Sequence, residues 1–242
     1  MGEPNELAKR YSEDADEILY IDTVASLYGR NQLEGLLEST AHDVFVPITV
    51  GGGIKSKADV RRLLHSGADK VAINTAALRN PSLISDIANT VGSQAVVVSI
   101  EAKRRESGWE AYTDNGRERT GRDAIQWAFE AVERGAGEIL LTSIDQEGTR
   151  RGFDLLLASA IAPKVPVPVT LCGGMGSIEH AREALAAGAD AVACASILHY
   201  GILTMKEIQN GLASERELQA KGRSAARGSE SRPEGRVSQE GA

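Results

Sequence analysis

Short apolar runs alternate with amphipathic stretches along most of this chain. The runs Glu17–Thr23, Val44–Val50, Lys70–Asn74, Gln94–Glu101, Glu138–Ile144, Val167–Cys172 and Ala191–Ala195 are rich in Val, Ile, Leu and Ala on both faces. That is the pattern of parallel strands covered from both sides. Between them, helical spacing predicts helices over 5–14, where Leu7, Ala8 and Tyr11 share a face, and over Asn31–Thr40. Further helices are predicted from an N-cap at Ser56 through His65 to a stop at Gly67, and over Pro81–Thr90 and Gly121–Arg134. The loop 145–152 leads into another helix reaching about Ala160, and Ile178–Ala187 and Thr204–Leu212 complete the set. Residues 102–120 break the rhythm: they are polar, and Asn115-Gly116 predicts the turn of a small hairpin. Strands and helices in strict alternation predict a parallel sheet with helical crossovers.

One stretch is written twice. Pro47–Thr75 matches Pro168–Ser196 without a gap: Gly52 with Gly173, Gly53 with Gly174, Ser56 with Ser177, Gly67-Ala68-Asp69 with Gly188-Ala189-Asp190, and Thr75 with Ser196, all at an offset of 121. Glu17 and Leu19 recur at the same offset as Glu138 and Leu140. A repeat this long reads as a duplicated half-fold, and two halves of four β/α units close into a (β/α)8 TIM barrel. Seven strands are predicted here. The first-half counterpart of the strand ending at Glu101 would fall before Met1, so the duplicated half-barrels are expected to lack the first strand.

Length and charge narrow the picture. A chain of 242 residues is ordinary for one such barrel, assigned to residues 1–213, while 214–242 turn to Arg, Ser, Gly and Glu and predict a disordered tail. A net charge of −7 excludes a broad nucleic-acid or anionic-membrane footprint. The N-terminus has no signal-peptide pattern and no apolar run reaches membrane length, so a cytoplasmic protein is expected. Cys172 and Cys194 lie in apolar runs outside any CxxC pattern and read as buried thiols. His42, His65, His180 and His199 have no ligand spacing, so neither metal nor cofactor is expected. Trp109 and Trp127 read as packing residues.

In β/α barrels the chemistry lies at the C-terminal strand ends. Here those ends carry two clusters of small residues, Gly52-Gly53 with Asn74-Thr75 and Gly173-Gly174 with Ala195-Ser196. Glycines let backbone N–H groups approach an anion, and barrels often hold phosphate at this position. One cluster alone serves equally as a tight βα turn. Two related clusters, each with a hydroxyl residue, imply a ligand with a phosphate at both ends. Between them lie Asp22, Glu101 and Asp145, with Glu147 in the following loop. A carboxylate whose pKa is tuned can act as general acid or base, and Glu101, at the end of an apolar strand, is the foremost candidate. Glu147 is open to a solvated or ion-paired reading beside Arg150 and Arg151. At the opposite strand ends Glu17, Lys70 and Glu138 either ring the barrel bottom as a salt-bridged gate or simply face solvent.

The segments IDTVAS, TVGGGIKS, GADKVAINTAA, GSQAVVVSI, GAGEILLTSID and GGMGSIEH, spread from about Pro4 to Leu212, resemble the cyclase subunit family of imidazole glycerol phosphate synthase. The resemblance implies a lyase of histidine biosynthesis. It would use ammonia, delivered through the barrel bottom by a glutamine amidotransferase partner, to convert a bis-phosphorylated ribulosyl aminoimidazole into imidazole glycerol phosphate and an aminoimidazole carboxamide ribotide. By position, Gly53, Asn74 and Thr75 would hold one phosphate and Gly148, Gly173, Gly174, Ala195 and Ser196 the other. Glu17, Lys70 and Glu138 match three of the family's four gate charges. Glu101 stands where the family has its fifth-strand aspartate, Glu147 where it has an aspartate near a phosphate, and the first strand with its own aspartate is absent. SIEAKR, IDTVASLYGRN and YTDNGRE also resemble a paralogous branch that passes ammonia to a sugar amidotransferase in surface-polysaccharide synthesis, with little or no cyclase activity implied.

Overall fold

The computed structural model describes residues 3–23 and 33–213. The tail expected over 214–242 and the first two residues of the helix expected at Asn31 lie outside the described residues. In chain order the elements are α1 (Pro4–Ser12), β1 (Ile18–Ile21), α2 (Leu33–Thr40), β2 (Ile48–Gly51), α3 (Lys57–His65), β3 (Lys70–Ile73), α4 (Thr75–Arg79) and α5 (Ser82–Val91). They continue with β4 (Val96–Arg105), β5 (Gly108–Thr113), β6 (Glu118–Asp123), α6 (Ala124–Glu133), β7 (Glu138–Ser143), α7 (Leu155–Ile161), β8 (Val169–Cys172), α8 (Ile178–Ala186), β9 (Ala191–Ala193) and α9 (Ser196–His199). A further helical segment spans 205–213.

Among the described residues seven strands pair in parallel in the order β1-β2-β3-β4-β7-β8-β9, and the antiparallel hairpin β5–β6 hangs from the end of β4. The sheet curls into a nearly closed barrel, as the alternation predicts. At its open side the Tyr11 hydroxyl of α1 and Nδ1 of His199 in α9 stand 3.1 Å apart, drawing the first and last elements together.

Two apolar layers hold the barrel. The larger lies between sheet and helices and contains fully buried Leu37, Ile73, Ile84, Ile100, Trp127, Ile139 and Leu171. The smaller fills the lumen with Ala72, Val97 and Leu140, joined by Leu19, Cys172 and Ala193. Side chains alternate along a strand, so Val97, Ser99 and Glu101 share the lumen face of β4 while Val96, Val98 and Ile100 face the helices. The same alternation places Lys70, Ala72 and Asn74 in one column, and Glu138, Leu140 and Thr142 in another.

The duplication is written into the hydrogen bonds. Asp69 Oδ2 accepts from Ile48 N and Asp190 Oδ2 from Val169 N, both at 2.8 Å. Ile18 N donates to Pro47 O and Ile139 N to Pro168 O, both at 3.0 Å. Ser56 and Ser177 cap α3 and α8 by accepting from Asp59 N and His180 N. Gly67 and Gly188, with φ of 110° and 103°, end those helices in backbone that L side chains rarely adopt.

Several boundaries moved: β2 starts at Ile48 rather than Val44, β8 at Val169 rather than Val167, and β9 ends at Ala193 rather than Ala195. β4 runs four residues past Glu101 because residues 102–105 pair with β5, from Ala102 opposite Ala111 to Arg105 opposite Gly108. The hairpin also claims Gly121–Asp123, expected as helix, and Asp123 instead caps α6 by accepting from Ile125 N and Gln126 N. The short helices α4 and α9 carry too little periodicity to be read in advance.

Replacing Asp69 or Asp190 by Ala removes a charged acceptor from a strand N–H, and each change is expected to cost about 1–2 kcal/mol of stability. The two aspartates bond different strands, Ile48 N and Val169 N, so the double variant is expected to lose close to the sum in urea denaturation.

Candidate functional site

A cavity of about 330 Å³ opens at the C-terminal ends of β1 to β4. It is lined by Asp22, Gly51–Gly53, Asn74, Thr75, Ser99 and Glu101, and from the sides by Lys55, Arg79, Asp114 and Asn115. The first expected anion cluster and the foremost carboxylate therefore share one space.

Gly52 and Gly53 have φ of 111° and 67°. A Cβ on Gly52 would stand 2.4 Å from the Asp22 carbonyl oxygen, so the turn passes too close to β1 for any other residue. Asn74 ends its strand with Oδ1 buried and unpartnered within the protein. Buried polar atoms are nearly always satisfied, and this one belongs to a residue of the cavity wall. Thr75 opens α4, and its Oγ1 accepts from Asp114 N at 3.0 Å.

Glu101 stands on the lumen face of β4. Its Oε2 accepts from Gly116 N at 2.7 Å. Burial pushes its carboxyl up from the usual carboxylate value. The Gly116 N–H and the Asn74 carboxamide pull it back, Asp114 adds a raising influence and Arg117 a lowering one. The net direction is upward, which suits a group that holds a proton until a reaction needs it.

The second cluster lies outside this cavity, across the barrel mouth. Gly173 and Gly174 have φ of 89° and 109°. A Cβ on Gly174 would meet Gly152 O at 2.1 Å, and Gly152 N donates to Gly174 O at 2.8 Å, so this glycine serves close packing of the β7–α7 loop. A Cβ on Gly173 would lie 3.0 Å from Glu147 Oε2, which puts that carboxylate over the glycine. Burial pushes Glu147 up as well. Gly148, at φ 71°, has open space around it, and Ala195 and Ser196 begin α9. Asp145 faces elsewhere: its Oδ2 accepts from Arg104 N at 2.8 Å and secures the base of the hairpin.

At the other end of the lumen, Lys70 Nζ lies 2.6 Å from both Glu17 Oε2 and Glu138 Oε2. The remaining oxygens are also held: Thr49 Oγ1 donates to Glu17 Oε1, and Thr170 Oγ1 donates to Glu138 Oε1 at 2.9 Å. Thr49 and Thr170 are themselves a repeat pair. Burial opposes the Lys70 charge, but Glu138 and Glu17 more than offset it and leave its pKa raised. The alternative of three solvent-facing charges is thus replaced by one closed network across the barrel bottom.

The two thiols are held in the protonated form. Burial, with Glu147 adding to it, pushes Cys172 up to about 12, and burial pushes Cys194 up to about 11. Among the described residues no three His, Cys, Asp or Glu side chains gather to hold a metal ion, and no helix is long and apolar enough to cross a membrane. The cavity-lining residues Lys55, Arg79, Ser99, Asp114 and Asn115 are not among the expected site residues. Ser99 was findable from its even spacing to Glu101, and Arg79 from its place four residues after Thr75. Asp114 and Asn115 reach the cavity only because the hairpin folds back over it.

Fold and site together define a β/α barrel of two matching halves, with a charged network below the lumen and a glycine-lined cavity above it. Residues 1–204 match the family described as histidine biosynthesis protein, and the chain belongs to that family. It is 61% identical over 181 residues to imidazole glycerol phosphate synthase subunit HisF of Legionella pneumophila, a span covering 74% of this chain and 85% of that protein.

The raised Glu101 pKa has a stability consequence of definite sign. The folded chain holds this proton to a higher pH than the unfolded one, whose value is near 4.5. Stability therefore falls as pH rises from there through the folded-state value. Glu101→Gln keeps an acceptor for Gly116 N–H and removes the titration. Its stability relative to the parent is expected to improve as pH rises from 4.5 through the folded-state value, as read by urea denaturation at stepped pH. An unchanged pH dependence would contradict the assignment.

Proposed function

We propose that this chain is the cyclase subunit of imidazole glycerol phosphate synthase in histidine biosynthesis. It takes a bis-phosphorylated ribulosyl aminoimidazole and ammonia to imidazole glycerol phosphate and an aminoimidazole carboxamide ribotide. The observation that supports this most is the meeting of Glu101, its carboxyl raised by burial, with Asn74, Thr75 and Gly53 in one cavity above the Lys70 network. The 61% identity to a HisF subunit supports the same reading.

In this proposal Gly53, Asn74 and Thr75 bind one phosphate through backbone N–H groups, the Thr75 hydroxyl and the Asn74 carboxamide. Gly148, Gly173, Gly174, Ala195 and Ser196 bind the other, so the substrate lies across the barrel mouth with its reacting centre over the lumen. Inserting nitrogen and closing a ring requires one proton taken from nitrogen and another delivered to a departing oxygen. Glu101 delivers, since its raised pKa keeps the carboxyl protonated further toward neutrality, and Asp22 on the same cavity wall is the second carboxylate in reach of the substrate. Ammonia arrives from a glutamine amidotransferase docked on the lower face, by way of the network of Glu17, Lys70 and Glu138. The chain acts in the cytoplasm with no cofactor.

A second reading is favoured by one contact. Glu101 is tied at 2.7 Å to the Gly116 N–H rather than free in the cavity. A tied acid suits a barrel that chiefly passes ammonia to a separate sugar amidotransferase.

Incubation with the bis-phosphorylated substrate and an ammonium salt discriminates between them. The cyclase reading expects both products, with kcat lowered about 10²–10⁴-fold in Glu101→Gln, the usual worth of a general acid or base. Saturable substrate binding without product, together with stimulation of a glutaminase partner, would overturn it in favour of the channel.

A further inference from the structure

The hairpin tip touches both halves of the cavity chemistry. Asp114, Asn115 and Gly116 have φ of 51°, 59° and 75°. Asp, Asn and Gly tolerate left-handed backbone better than other residues, and a turn of this kind can aim successive N–H groups at anionic or polar acceptors. Two of them are so used, Asp114 N to Thr75 Oγ1 at 3.0 Å and Gly116 N to Glu101 Oε2 at 2.7 Å. A hydroxyl that accepts with a lone pair keeps its proton for another acceptor. The Asp114 amide thereby makes Thr75 a donor, and the Gly116 amide holds Oε2 of Glu101, a carboxylate that the Asn74 carboxamide also bonds.

The Asp114 carboxylate is a like charge beside an anion pole. Its side chain is only 12% exposed and is met by Arg79 Nη2 at 3.0 Å, whereas Arg79 is 69% exposed. An ion pair with so exposed a partner is weak. Arg79 ends α4, one turn beyond Thr75, and lines the same cavity. A guanidinium held this loosely exchanges readily for a phosphate, which it can grip with two parallel N–H groups.

We infer that Asp114 is a positioning residue tying the Thr75 pole to Glu101, and that Arg79 changes partner from Asp114 to phosphate when an anion enters. This rests on the reading of Asn74 and Thr75 as a phosphate pole. The test is titration of the full chain with inorganic phosphate, followed by NMR on the backbone amides of Asn74 and Thr75, which reports this pole separately from the other. Asp114→Asn keeps the backbone amide and a residue that accepts positive φ. It is expected to bind phosphate about 3–10-fold tighter through removal of the competing charge, and Arg79→Gln to bind it weaker by a similar factor.

A turn that mattered only for folding would instead weaken binding in both variants, and that result, or no change in either, overturns the inference alone. No phosphate-dependent shift at these amides in any chain overturns the pole and the inference together. The tie to the acid is read by carboxyl NMR of Glu101, whose charged neighbours are Asp114 and Arg117. Its titration midpoint is expected to fall in Asp114→Asn, and an unmoved midpoint sinks the coupling.

Discussion

The alternation of side chains along a parallel strand is the constraint on which this molecule depends. In a narrow barrel every second residue enters the lumen. A single short strand therefore has to supply the bottom, the middle and the mouth of the same column. On β3 and its end this gives Lys70, Ala72 and Asn74, and on β7 it gives Glu138, Leu140 and Thr142. Shifting any strand by one residue would drive the charges among the helices and turn the apolar layer inside out. The network below, the dry middle layer of Leu19, Ala72, Val97 and Leu140, and the polar mouth are thus three consequences of one register.

Duplication supplies that register twice, and the departures from it are informative. The backbone anchors recur almost unchanged, from Asp69 with Ile48 to Asp190 with Val169. Lys70, however, faces Ala191 across the repeat. One ammonium thus serves both Glu17 and Glu138, the two repeat-related carboxylates. Neither acid would rest easily half-buried without it, because removing one partner from such a group leaves the other's desolvation uncompensated. The geometry is accordingly that of a bridge across the barrel floor rather than of two separate pairs.

Much of this was legible because it is periodic. The seven parallel strands, the helix cap at Ser56, and the grouping of Gly53, Asn74, Thr75 and Glu101 all follow from spacing along the chain. What escaped the reading depends on contacts between segments far apart in sequence. Arg79 sits on a five-residue helix too short to show a face, and Asp114 reaches the cavity only through the fold of the hairpin. Asp145 follows β7 where an acid of the mouth is expected, yet its Oδ2 accepts from Arg104 N. Sequence position places a residue at a strand end, but whether its side chain turns inward is decided by which backbone donor lies closest.

The identity of residue 101 shows how the two kinds of information combine. The resembling family has aspartate here, and the chain has glutamate, one methylene longer. A side chain shortened by one carbon–carbon bond, about 1.5 Å, would draw its carboxylate back from Gly116 N, now at 2.7 Å, beyond hydrogen-bond range. The longer acid is therefore matched to a hairpin tip that comes to meet it, and the tip in turn is matched to Thr75 through Asp114 N. Glutamate at this position and the Asp-Asn-Gly turn are two parts of a single arrangement, in which the acid is oriented by the same loop that orients the Thr75 hydroxyl beside it.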